Sequence, residues 1–189
     1  LEKHVPCGEP GGSKKGIYEI TDHFYRFWYR YVFSNKSYYS MLGIEKAADE
    51  IMGEINDYMG PVFEDICRQY LVRRAKAGTI SFTPYVIGKW WGNNPVIKAQ
   101  DDVDLLALDR KGERGIFVEC KFRNRLMAME EYDDLVTAAE AFPGVKEKKL
   151  MFISKGGFTE AVRRRAEDEG AEVVEVERLY AKTLRDSAS

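Results

Sequence analysis

Apolar residues recur along this chain with two periods, one helical and one strand-like, and the switch between them divides it into segments. Phe24, Phe27, Trp28 and Tyr31 form one stripe at helical spacing, and Tyr25, Tyr29 and Val32 form a second. Thr21 or Asp22 supplies a cap for this helix. An element apolar on nearly all sides is expected to be buried on nearly all sides, in a core or between domains. Residues 36–59 read as short helices. Gly60-Pro61 then opens a longer helix to about Ala77, with proline at its first position and Phe63, Ile66, Cys67, Tyr70 and Leu71 as its apolar face. Strand patterns follow. One covers Thr83 to Trp91 and ends in the turn-forming run Trp90 to Pro95; the next cover 103–108 and 116–122. The polar, glycine-containing loop Asp109 to Gly115 joins the last two as a hairpin. A helix at 128–142 stops at Pro143-Gly144, a buried-type strand covers 149–154, and a helix at 158–169 closes at Gly170. A strand at 172–176 and a short helix from 177 complete the pattern, and Asp186 to Ser189 is expected to fray. The order α, β, β, β, α, β, α, β predicts an α/β fold around a mixed central sheet flanked by helices.

Charged residues interrupt the most apolar part of this pattern. Asp104 stands inside Val103-Asp-Leu-Leu-Ala-Leu108, and Glu119 and Lys121 stand inside Ile116-Phe-Val-Glu-Cys-Lys-Phe122. Burying such groups is costly unless they pair or hold a metal. Side chains alternate across a strand, so Phe117, Glu119 and Lys121 share one face while Val118, Cys120 and Phe122 share the other. Upstream, Glu64 falls at the flank of the apolar face of the helix opened by Pro61, within reach of a packed sheet. A plainer role for Glu64 is to complement the dipole in a first helical turn, a role Asp65 fills equally well.

These residues suit phosphodiester cleavage. Mg²⁺ prefers hard oxygen ligands and keeps several waters, and two carboxylates on adjacent strands can hold it. Asp104 and Glu119 are the candidate ligands, with the Cys120 backbone carbonyl as a third and Glu64 for a second ion or a water. Lys121 can orient or deprotonate water and stabilise developing charge. Arg123 and Arg125 follow directly and can hold phosphates of DNA. The alternative is that Glu119 and Lys121 simply pair at a sheet end.

Composition narrows the partners. The 189 residues, 44% of them hydrophobic, suffice for a packed core. A net charge of −2 gives no global positive field, so any nucleic-acid contact must come from local basic patches. Cys7, Cys67 and Cys120 are odd in number, widely spaced and apolar in setting, which predicts free thiols in a reducing compartment, the cytoplasm. No apolar run reaches membrane-spanning length.

The first 21 residues read as two strands around the turn-rich basic loop Gly8 to Lys15. This pattern is similar to the wing hairpin that closes a winged-helix domain. It predicts that 1–21 is the remnant of an upstream domain, followed by an aromatic-rich helical segment at 22–59 and a main domain at 60–189.

Glu64 on a helix, Asp104 on one strand and Glu119-Cys120-Lys121 on the next resemble the PD-(D/E)XK nuclease superfamily, although Val103 stands where its namesake proline would be. Over most of the chain, the wing-like start, GIYEITDHFYRFWYRYVF, YMGPVFEDICRQYL and VDLLALDRKGERGIFVECKF resemble the C-terminal region of AAA-type ATPases of archaea and some bacteria. The resemblance implies a restriction-endonuclease-like core, a Mg²⁺ or Mn²⁺ cofactor, DNA as partner, and upstream ATPase and winged-helix modules. It leaves open a non-catalytic binding or regulatory role, with helix 22–33 as a contact to a partner domain or to a second copy. The chain contains no Gly-x-x-x-x-Gly-Lys-Ser/Thr loop, so this segment itself is not expected to hydrolyse ATP.

Overall fold

A five-stranded sheet of order β3-β4-β5-β6-β7 organises the computed structural model, which describes residues 1–181. The fraying expected at 186–189 lies outside the described residues. Strands β3 (Val86–Asn94), β4 (Ala99–Leu108) and β5 (Arg114–Lys121) pair antiparallel. Strands β5, β6 (Glu147–Ser154) and β7 (Glu172–Glu175) pair parallel. The parallel pairs need crossover connections, and helices α4 (Met129–Ala141) and α5 (Glu160–Glu169) supply them. Strand alternation sorts the core onto two faces. Leu106, Phe117 and Phe152 meet Tyr132 and Leu135 of α4 and Val162 of α5. Leu105, Val118, Cys120 and Ile153 meet Phe63, Cys67 and Leu71 of α3 (Ile44–Lys76) on the other. The fold is thus α/β with a mixed sheet flanked by helices, as the alternation of periods predicts.

Three elements differ from the sequence pattern. The helix expected to start at Pro61 is the second half of α3, a single 33-residue helix with Pro61 inside it. A proline removes one helical N–H and crowds the preceding turn. Here tertiary packing holds both halves in line: Tyr58 packs its ring on Phe27 and Tyr31, and Phe63 is buried against the sheet. The strand expected to end near Trp91 runs on to Asn94, and the turn falls at 95–98 with Lys98 at φ 53°. Buried Asn94 secures that turn by donating to Asp101 Oδ2 (2.7 Å) and accepting from the Val96 N–H (2.8 Å). Finally, the aromatic segment forms α1 (His23–Phe27) and a π-helical stretch (Trp28–Phe33), and of its aromatic residues only Tyr31 is buried. Phe24, Tyr25, Tyr29 and Phe33 are exposed, because the segment packs on one side only, against Tyr58 of α3.

The N-terminal hairpin forms as β1 (Glu2–His4) and β2 (Ile17–Glu19). The loop between its strands lies along β3. Cys7 is buried in the α4-side core and donates its N–H to the Lys89 carbonyl (2.8 Å), and Trp91 Nε1 donates to the Lys15 carbonyl (3.3 Å). Helix α2 (Lys36–Leu42) links the aromatic segment to α3, and α6 (Val176–Leu179) places Leu179 beneath it. Cys7, Cys67 and Cys120 are all free thiols.

Candidate active site

The site begins where the regular pairing of β4 with β5 stops. Their Cα register runs from Leu108–Gly115 to Leu105–Val118. One residue beyond, the Asp104 side chain takes over: its Oδ2 accepts the Cys120 N–H at 2.8 Å. The carboxylate thus satisfies a backbone donor with one oxygen, while the other, Oδ1, lies 3.8 Å from the Lys89 ammonium. Asp104, Glu119 and Lys121 line one cleft of about 290 Å³, together with Asp101 and Asp102 of β4 and with Asp134, Leu135 and Thr137 of α4. The alternation read from the sequence therefore delivers Glu119 and Lys121 to the α4 side, while Cys120 packs with Cys67 against α3.

The charges in this cleft are poorly solvated. Burial, reinforced by neighbouring Asp104, pushes the Glu119 carboxyl well above the ordinary carboxylate range. Burial likewise pushes Asp104 up, against the pull of Lys121 and of the Cys120 N–H. The Lys121 ammonium is ion-paired with Glu119. Glu119 and Asp104 overcome the effect of burial on Lys121 and hold its pKa above the ordinary lysine value, so it is charged at neutral pH.

Glu64 reaches the same neighbourhood from α3. It lies mid-helix rather than in a first turn, so the dipole role has no basis here. Burial and the nearby Asp104 push its carboxyl up to about 7. Lys89 of β3, which carries no signal in the sequence pattern, joins the two groups: its Nζ lies 3.6 Å from Glu64, 3.2 Å from Asp102 and 3.8 Å from Asp104. Asp65 turns elsewhere, pairing with His23 Nε2 at 3.1 Å and with Arg68 at 3.4 Å.

Arg123 and Arg125 follow β5 and fan out from one buried acid. Glu131 Oε1 accepts from Arg125 Nη2 (2.6 Å) and Arg123 Nη1 (3.3 Å), and its Oε2 accepts the Ala128 N–H at the start of α4 (3.0 Å). Both arginine side chains remain about half exposed, 47% and 56%, so they offer guanidinium edges to solvent while anchored. Glu131→Ala is expected to cost about 2 kcal/mol in urea unfolding, because it strips a helix-start N–H and two guanidinium groups of their acceptor. Glu131→Gln, which keeps one acceptor oxygen, is expected to lose less.

Among the described residues no three His, Cys, Asp or Glu side chains are gathered so as to hold an ion by themselves. The donor set nevertheless fits Mg²⁺ or Mn²⁺, which bind through one or two carboxylates and keep waters for the rest. Asp104 and Glu119 provide two hard oxygen donors in one cleft, and a cation there would favour the ionised forms that burial disfavours.

A family model for archaeal and bacterial proteins of unknown function, DUF234, matches residues 28–135. The chain belongs to the DUF234 family. That match spans α3, β3, β4 and β5 and so includes Glu64, Asp104, Glu119 and Lys121. An uncharacterized protein of Methanocaldococcus jannaschii is 33% identical to this DUF234 chain over 127 residues, which are 66% of this chain and 26% of that protein. The match thus spans about a quarter of that relative's length. Among solved structures, protein VC1899 from Vibrio cholerae is similar over 65% of this DUF234 chain and 31% of its own, with a TM-score of 0.47 and 14% identity. A repair endonuclease from Pyrococcus abyssi is similar over 60% of this chain and 46% of its own, with a TM-score of 0.38 and 14% identity. The EndoMS–dsDNA complex is similar over 58% and 43%, with a TM-score of 0.36 and 16% identity. All three TM-scores lie below 0.5.

Proposed function

We propose that this domain is a Mg²⁺- or Mn²⁺-dependent nuclease-like module acting on DNA. The observation that carries the proposal is the convergence of Asp104, Glu119 and Lys121 on one cleft, with Asp104 buried, Glu119 partly buried and both carboxyls elevated in pKa. Asp104 and Glu119 would hold the ion, with the Cys120 carbonyl and Glu64 as further candidate donors. When bound, the ion would polarise the scissile phosphate and lower the pKa of the attacking water. The Lys121 ammonium, kept charged by Glu119, suits donation to phosphate oxygens rather than proton abstraction. Glu64, poised near neutral pH, is the better matched proton acceptor. Arg123 and Arg125, anchored by Glu131, would fix the phosphate backbone beside the cleft.

A second reading is a non-catalytic DNA-binding or regulatory domain of a larger AAA-type ATPase, joined through a winged-helix module that residues 1–21 would close. The exposed rings of Phe24, Tyr25, Tyr29 and Phe33 favour it, since they form an unpartnered surface suited to another domain, a second copy or stacked bases. No helix among the described residues is long and apolar enough to cross a membrane, and the three free thiols support the cytoplasm as the location.

The deciding experiment incubates plasmid, branched and single-stranded DNA with the full chain in Mg²⁺ or Mn²⁺. Cleavage by the wild type that is absent in Glu119→Gln is the expected result. Equal inertness, or equal cutting, of the two proteins on every substrate removes the catalytic reading. Salt-dependent binding without cleavage selects the second.

A further inference from the structure

The ammonium of Lys89 stands where a small cation would be at home. Most exposed lysines pair with one acid at most, and such pairs contribute little. Lys89 faces three: Glu64 at 3.6 Å, Asp102 at 3.2 Å and Asp104 at 3.8 Å. We propose that Lys89 is an internal counter-cation of the candidate site, occupying the charge position that a divalent ion takes on binding, and that its side chain must swing away for the ion to load. The identity of the ion rests on the nuclease reading; the role of Lys89 rests on its own contacts.

Local charge supports this. Four carboxylates, Glu64, Asp102, Asp104 and Glu119, gather around two ammonium groups, Lys89 and Lys121. Carboxyl groups thus outnumber ammonium groups there, which favours uptake of a further cation. Geometry separates the two lysines. Lys121 is only 23% exposed and is ion-paired with Glu119. Lys89 is 40% exposed and sits on the outermost strand, so its four-carbon stem has a route to solvent. Its backbone is pinned, because the Cys7 N–H donates to its carbonyl at 2.8 Å. Movement is therefore confined to the side chain. The register between β3 and β4 shifts at this point: Gly88 pairs with Leu106 and Trp90 with Val103, so Lys89 alone opposes Asp104 and Leu105. A bulge of this kind re-aims a side chain, and here it aims the ammonium at the acid that both halves of the site share.

Mn²⁺ uptake measured by calorimetry on the full chain tests the proposal without reference to cleavage. Removing a competing unit charge from among the carboxylates is expected to tighten Mn²⁺ binding by Lys89→Met about tenfold or more over wild type. Lys89→Arg, which keeps the charge, is expected to stay within about threefold of wild type. If Lys89→Met destabilises the fold, Lys89→Met combined with Asp102→Asn restores the charge balance, and it is expected to bind more tightly than Asp102→Asn alone. Equal or weaker binding on loss of Lys89, with uptake abolished in Asp104→Asn, overturns this inference and leaves the nuclease reading standing. Absence of Mn²⁺ uptake in wild type and variants alike overturns both.

Discussion

Glu119→Gln is expected to abolish cleavage while leaving the protein at least as stable as wild type at pH 8. The two halves of that result come from one cause. Glu119 is largely shielded from solvent, lies near Asp104, and retains an elevated pKa even with Lys121 ion-paired to it. Burial and the nearby Asp104 outweigh the Lys121 attraction, so ionising Glu119 is less favourable in the folded protein than in the unfolded chain. A carboxyl whose folded pKa lies above its unfolded value favours folding most when protonated, at pH below the unfolded pKa. That contribution is lost as pH rises through the folded value. Glutamine stays neutral and does not incur this loss, so the stability advantage of the variant should open above pH about 4.5 and reach its full size above the elevated pKa of Glu119. Activity should move in the opposite direction. Removing a carboxylate that would hold the ion beside the reacting phosphate should cost at least about 10²- to 10³-fold in rate. Melting curves at pH 5 and 8, set beside single-turnover cleavage, check both signs. A variant that loses activity and stability together would assign Glu119 to the fold instead. Functional residues that burden the fold in this way are a familiar trade between stability and activity.

Tyr132→Ala is expected to have the largest effect on stability, about 4 kcal/mol. The Tyr132 ring is fully buried and stacks on Phe152 at 4.5 Å and 17°, joining α4 to the central parallel strand β6. Its hydroxyl donates to Glu169 Oε2 at 2.8 Å, and the Arg165 guanidinium lies 4.5 Å over its outer face. Truncation removes the stack, opens a cavity in a closely packed layer, and leaves Glu169 with one partner fewer. Tyr132→Phe keeps the ring and should cost only about 1 kcal/mol, the value of one hydrogen bond. At this chain length, 4 kcal/mol corresponds to a fall in Tm of about 8 to 16 °C. Thermal unfolding of the two variants separates ring packing from the hydroxyl. Asp134, Leu135 and Thr137 of the same helix wall the cleft, so loosening α4 should also weaken activity before it unfolds the chain.

The parts of the site that sequence displays are those set by local periodicity. Glu119 and Lys121 share a face because strand alternation is a property of the strand alone, and no partner can change it. Asp104 is conspicuous because a carboxylate amid Val103, Leu105 and Leu106 demands an explanation. Lys89 and Asp102 are silent for the opposite reason. Their meeting depends on how β3 and β4 are registered, and that register shifts between Gly88 and Trp90. A one-residue shift reverses which face a side chain takes, so spacing within β3 holds no information about it. The long helix was hidden by a rule that is local where the outcome is tertiary: Pro61 marks a probable start, but packing through Tyr58 and Phe63 on either side carries the helix through it. The aromatic run at 24–33 shows the limit of counting apolar residues, since density of rings predicts burial only where something is present to cover them.

Strand β3 is an edge of its sheet, and Cys7 covers one point of its outer rim. Cys7 occupies the outer rim of the sheet with a backbone hydrogen bond and a buried thiol, and Gly8, at φ 86°, lets the chain turn away beside Leu108. Without that contact the outer N–H and C=O groups of β3 would form an uninterrupted unpaired edge, a template for pairing with another chain. The Cys7 contact therefore blunts one point of a rim that would otherwise be open to edge-to-edge association along its whole length.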